Sequence, residues 1–162
     1  MEDEVRTIRL QLPSRLGYER VAMDAAGAAA KLVGFHRGRV EDLRTAVAEA
    51  CVNAMEHAHR FNAAMTVVVA LTIEDDSLQI DVVDQGEGMP EVVETPDLAR
   101  KLAGEQEARG WGMFLIKSLM DEVRFNVRSE LGNVTRMIIR LEPEDIAPGG
   151  ATAASRAAAS LG

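Results

Sequence analysis

Three short stretches of this chain carry residues whose types and spacing could do chemistry. In LRTAVAEACVNAMEHAH (43–59), Glu49, Asn53 and His57 recur every four residues, so on a helix they project from one face. A carboxylate and an amide oxygen one turn apart could hold or flank a Mg²⁺, a hard cation bound by one or two protein oxygens together with waters and phosphates. In DVVDQGEGMP (81–90), Asp84 is followed by Gly86 and Gly88. Its carboxylate could accept a hydrogen bond from an exocyclic amine, while the glycines let the backbone approach a ligand. In RGWGMFLIKSLM (109–120), Gly110 and Gly112 precede an apolar run. A glycine-to-helix junction offers unpaired N–H groups and the positive end of the helix dipole, a ready phosphate site, with Arg109 and Lys117 as nearby cations. Each stretch has a plainer reading too: a solvated helix face, a glycine-rich turn, the end of a loop with Lys117 in solvent.

The elements that must position these residues follow from the hydrophobic pattern. Val5–Leu12 alternates and predicts a strand. Pro13 breaks it, Ser14 is the expected N-cap of an Ala-rich helix from Leu16 to about Val33, and Gly34 closes that helix. A loop at 35–38 leads into the helix bearing Glu49, expected to start at Arg39 or Val40 with Glu41 and Asp42 in its first turn. It ends at His59–Asn62. Met65–Ile73 and Leu78–Val83 read as a hairpin that delivers Asp84 at its end. Residues 91–108 are polar, with at most one short helix near 98–103, and read as a functional lid or a disordered segment. Met113–Met120 is a helix, and Glu122–Val127 and Val134–Leu141 form a last hairpin. From Pro143 the composition shifts to Ala, Gly, Pro and Ser, a flexible tail (143–162) after a domain at 1–142. The order predicts an α+β fold: a two-layer sandwich, its mostly antiparallel sheet covered on one face by helices.

Composition narrows the function. At 162 residues with 47% hydrophobic and 27% charged residues, the chain is long enough for one domain with its own core. A net charge of −8 argues against direct nucleic-acid binding, and a bound nucleotide would need its phosphates met locally. The single cysteine, Cys51, excludes an internal disulfide and reads as a buried thiol among alanines. No apolar run is long enough to span a bilayer and no signal-peptide profile stands at the N-terminus, so a cytoplasmic protein is expected. His57 is expected in a structural role beside the Glu49–Asn53 face, His59 exposed near the helix end, and no histidine metal site forms.

Taken in order, Glu-x-x-x-Asn on a helix, DxGxG after a strand, a polar lid and GxG into a helix resemble the N, G1 and G2 boxes of the Bergerat-fold (histidine-kinase-like) ATPases. EACVNAMEHAH, DVVDQGEGMP and RGWGMFLIKSLMDEV are similar to the bacterial anti-sigma factor/serine-protein kinases of the partner-switching type, over about Val5 to Leu141. The resemblance implies ATP and Mg²⁺ as cofactors, with Glu49 as the general base toward a serine hydroxyl and Asn53 as Mg²⁺ ligand. It implies that Asp84 bonds the adenine amino group and that Gly86, Gly88 and Met89 shape the adenine pocket. Arg109, Gly110, Trp111 and Gly112 would close the lid on the phosphates, and Thr135 would lie beside the adenine. Two departures stand out: Gly132-Asn133-Val134 replaces the usual Gly-Thr pair, and Trp111 stands where a smaller aliphatic residue is more usual.

The resemblance further implies a substrate, a small anti-anti-sigma (STAS-type) protein, a sigma factor as second partner, and a homodimer formed through the N-terminal strand and helix. Two other readings compete. A non-catalytic module could bind ATP only to regulate its grip on a partner, but such a module has no need of Glu49. The catalytic fragment of a histidine kinase would follow a helix pair bearing a phospho-acceptor histidine, and here the chain is expected to start with the strand of the fold itself.

Overall fold

The computed structural model describes residues 6–86 and 108–143, the side chains of Ala108 and Arg109 excepted. Strand β1 (Arg6–Pro13) leads to helices α1 (Glu19–Val33) and α2 (Arg37–Asn53). A five-residue π-helical turn (Ala54–Ala58) follows, then β2 (Thr66–Ile73) and β3 (Ser77–Asp84). After the undescribed segment come α3 (Ala108–Leu119), β4 (Glu122–Ser129) and β5 (Gly132–Arg140). The strands form one sheet in the order β1-β2-β3-β5-β4, and every pairing is antiparallel. This is the expected α+β sandwich. The tail beyond Pro143, the short helix near 98–103 and most of the lid lie outside the described residues.

The period-two pattern of the strands decides which side meets the helices. Val67, Val69 and Leu71 of β2, Leu78, Ile80 and Val82 of β3, and Met137 and Ile139 of β5 are buried in one cluster. The same cluster takes in Ala22, Ala26 and Ala30 of α1, Leu43, Ala46, Val47 and Ala50 of α2, and Ile116 of α3. Small alanines let α2 lie close to its neighbours. On the outer face the β3–β5 register carries a two-pronged ion pair: Arg136 Nε and Nη2 each lie 2.8 Å from a carboxylate oxygen of Asp81.

Three boundaries differ from expectation. Helix α1 starts at Glu19 rather than Leu16, and Ser14 does not cap it but is fully buried elsewhere. Helix α2 starts at Arg37, because His36 caps it: Nδ1 accepts the Gly38 N–H at 3.0 Å. Glu41 and Asp42 therefore lie beyond its first turn. Helix α3 starts at Ala108, several residues upstream of Met113. Gly34, at φ 115°, closes α1 as expected, a left-handed conformation that favours glycine.

Candidate functional site

Glu49 and Asn53 come from adjacent turns of α2 and meet α3 at Gly112. A methyl group placed on Gly112 would sit 2.8 Å from Glu49 Oε2, 3.3 Å from Asn53 Nδ2 and 3.4 Å from Asn53 Oδ1. Only glycine lets α3 approach these two side chains so closely. Asn53 is 4% exposed, and its Nδ2 has no hydrogen-bond partner. A buried amide left this way carries a desolvation cost of about 1–3 kcal/mol that an oxygen-bearing ligand would relieve. Directly after Asn53 the backbone passes into the π-helical turn. Its wider winding means that four residues no longer measure one turn, so the expected stripe ends at Asn53. His57 is half-buried, its Nε2 3.9 Å from a Glu56 oxygen.

The second part of the site lies where β3 runs out. Asp84 is 7% exposed and shares the helix-facing side of the sheet with Ile80 and Val82. Gly86 N–H donates to Asp84 Oδ1 at 2.9 Å, closing a tight turn. Gly86 presses on the π-helical turn: a methyl there would lie 2.6 Å from Ala58 Cβ and 2.8 Å from Ala58 Cα. On β5, Asn133 pairs with Asp84 and Thr135 with Val82, so both stand on Asp84's side of the sheet, both buried. The Asn133 amide nitrogen donates to the Gly86 carbonyl, and its Oδ1 is buried without a partner.

His59, expected to be exposed, is instead 3% exposed. Its Nδ1 is 2.9 Å from Ser14 Oγ, and its Nε2 accepts the Gln85 N–H at 3.1 Å. The Gln85 N–H can only donate, so the ring is neutral with its proton on Nδ1, directed at Ser14. Burial holds the imidazole pKa below its ordinary 6.5, outweighing the opposing attraction of Asp84. Sequence reasoning missed His59 and Asn133. Only the unusual Gly132-Asn133 pair left a signal, since the partners of His59 lie 45 and 26 residues away.

Helix α3 alters the expectation for the last motif. Gly110 and Gly112 lie within the helix rather than ahead of it. Arg109 belongs to this helix, its side chain outside the described residues. Trp111 meets Phe114 edge to face, ring centroids 6.4 Å apart. Lys117 stands on exposed surface with its Nζ 5.6 Å from the Phe125 ring centre, which supports the plainer reading of that residue. Gly88 and Met89 lie outside the described residues.

Among the described residues no group of three or more His, Cys, Asp or Glu could hold a metal by itself. One amide beside one carboxylate fits a cation that arrives with phosphates rather than one caged by protein. Cys51 is fully buried and its thiol pKa is pushed up to about 12, chiefly by burial, so it is no part of the site's chemistry.

Sheet order, helices on one face and the Asn53–Asp84–Gly112 arrangement define a class of ATP-binding domain, and comparison with known proteins agrees. The family model of the histidine kinase-like ATPase domain matches residues 12–139. The serine-protein kinase RsbW of Oceanobacillus iheyensis is 31% identical over 123 residues, 74% of this chain and 78% of that protein. The serine-protein kinase RsbW of Bacillus velezensis is 29% identical over 150 residues, covering 90% and 92%, and that of Bacillus subtilis is 27% identical over 128 residues, covering 76% and 80%. A crystal structure of RsbU and RsbW domains from Mycobacterium tuberculosis superposes with a TM-score of 0.60 at 18% identity, over 88% of this chain and 35% of that one; it supports the fold alone. The chain belongs to the histidine kinase-like ATPase family and, within it, to the serine-protein kinases of the RsbW type. It is an ATP-binding kinase.

Proposed function

We propose that this kinase transfers the γ-phosphoryl group of Mg²⁺-ATP to a serine of a small STAS-type anti-anti-sigma protein in the cytoplasm. Glu49 is the general base that takes the serine proton. The observation that carries this is the joint placement of Glu49 and the buried amide of Asn53, whose Nδ2 has no hydrogen-bond partner, against Gly112. Asn53 would hold Mg²⁺, which supplies charge neutralisation at the phosphates. Asp84 would accept a hydrogen bond from the adenine amine, with Gly86, Gly88 and Met89 shaping the pocket and Thr135 beside the base. Residues 109–112, from Arg109 to Gly112, would meet the phosphates. Phosphoryl transfer asks mainly for positioning and electrostatics, which one cation and a base one turn from the metal ligand can supply.

A second binding partner of this kinase is a sigma factor, which the kinase holds inactive once phosphorylation and release of the STAS protein have freed it to do so. Self-association is part of the same proposal. It is supported by β1 as an edge strand and by Ile8, Leu16, Tyr18 and Val21 exposed at 42%, 56%, 40% and 49% on β1, the β1–α1 connection and the start of α1.

The test is incubation with Mg²⁺-ATP and STAS proteins of the same genome, read by intact mass. One added phosphate is expected, falling about 10²–10⁴-fold in rate in Glu49→Ala while ATP still binds. ATP binding with no transfer to any STAS protein would favour a non-catalytic, nucleotide-gated binding module instead.

A further inference from the structure

We infer that His59 is a positioning residue for nucleotide binding: as a neutral acceptor it fixes the Asp84–Gly86 turn against the β1–α1 corner. The inference rests on the ATP-site reading above. Two segments far apart in sequence converge on this ring. Its Nε2 takes the Gln85 N–H at 3.1 Å, and its Nδ1 meets Ser14 Oγ at 2.9 Å. Ser14 is itself anchored, its N–H donating to the Met65 carbonyl at 3.0 Å. The residue just before His59 on the chain, Ala58, is the surface on which Gly86 is pressed. The end of the π-helical turn thus holds the turn after β3 twice, by contact at Gly86 and by a hydrogen bond at Gln85. The carboxylate that would read the nucleobase is the residue immediately before that bond.

The bond has a protonation requirement. An imidazolium carries protons on both nitrogens and cannot accept the Gln85 N–H. Asp84 on β3 is the charged group acting on the ring, Ser14 at the β1–α1 corner is neutral, and burial favours the uncharged form. A group whose native pKa is depressed contributes fully above its unfolded pKa, and that contribution is lost as pH falls below it. The turn is therefore held at neutral pH and released as the pH drops below about 6.5 toward the lower native value.

Glutamine and asparagine separate the two bonds. The amide oxygen of a glutamine reaches the position of Nε2 and could keep the Gln85 bond. An asparagine amide reaches only the position of Nδ1, keeping Ser14 and losing Gln85. The experiment is titration of the full chain with Mg²⁺-ATP at pH 5.5–8, alongside His59→Gln and His59→Asn, each first checked for a cooperative thermal transition. At pH 7.5, His59→Gln is expected to bind within about threefold of the native chain and His59→Asn about tenfold more weakly. The native chain is expected to lose affinity below pH 6.5 more steeply than His59→Gln. Amide hydrogen exchange at Gln85, followed over the same pH range without nucleotide, should accelerate in the native chain as the ring protonates; this readout does not depend on the variants folding. Equal affinities for all three proteins, or parallel pH profiles with Gln85 exchange unchanged, would overturn the positioning role while leaving the ATP site standing. A native chain that binds no Mg²⁺-ATP at any pH would sink both.

Discussion

Gly112→Ala separates the position of the proposed base from the stability of the fold. The new methyl would meet Glu49 Oε2 at 2.8 Å, whereas ordinary contact begins near 3.4 Å, so the carboxylate must retreat by about 0.6 Å. Asn53, at 3.3–3.4 Å, needs almost no adjustment. The Glu49 oxygen is the far end of a flexible side chain, and an off-rotamer shift costs about 0.5–1.5 kcal/mol. Alanine within a helix is better than glycine by about 1 kcal/mol. The two terms nearly cancel, so Tm should move by less than about 4 °C. Catalysis has no such compensation. A 1 Å misplacement can cost about 10²-fold, so 0.6 Å should lower kcat roughly tenfold to thirtyfold. The assay is steady-state transfer to the unphosphorylated STAS partner together with calorimetry on the same preparations. An unchanged kcat at unchanged Tm would refute the placement of the base beside Gly112. A Tm collapse of more than about 8 °C would refute the claim that Glu49 can yield. Gly110, with nothing within 4 Å of an added methyl, supplies the stability comparison: Gly110→Ala should gain about 0.5–1 kcal/mol.

At Gly86 the added methyl meets backbone as well as side chain, 2.8 Å from Ala58 Cα, and no rotamer relieves it. Gly86→Ala should cost about 1–3 kcal/mol in urea unfolding and weaken ATP binding together, and loss of neither would show the contact to be soft. Cys51 should be inert to thiol reagents at pH 8 in the native chain and react only on unfolding, since its thiolate is suppressed by a pKa of about 12; rapid labelling of folded protein would contradict its burial. Removal of residues 144–162 should leave Tm within about 2 °C, and a larger drop would show that the Ala-rich segment packs on the domain.

Much of the fold was legible because local pattern and global arrangement agree. Leu78, Ile80 and Val82 alternate, and they are the residues that meet the helices. Gly34 ends α1 because its left-handed φ is a local property. Element starts were less legible. Ser14 looks like an N-cap, yet tertiary burial against His59 claimed its hydroxyl, and the cap of α2 fell to His36 instead. The GxG pair looked like a loop before a helix, because two glycines disfavour helix by about 1 kcal/mol each; contact between Gly112 and the α2 side chains repays what propensity withholds.

The sequence by itself determined the elements, the layer they form, and the residue types at Glu49, Asn53, Asp84 and Gly112, since each follows from spacing within a few residues. Only the tertiary structure decided that Gly112 would sit on Glu49 and Asn53, and that Asn133 and His59 would clasp the turn after Asp84. Those pairings span 47 residues from Asn133 to Gly86 and 26 from His59 to Gln85. No local periodicity encodes them, because they arise from where helices and strands come to rest once apolar faces are buried.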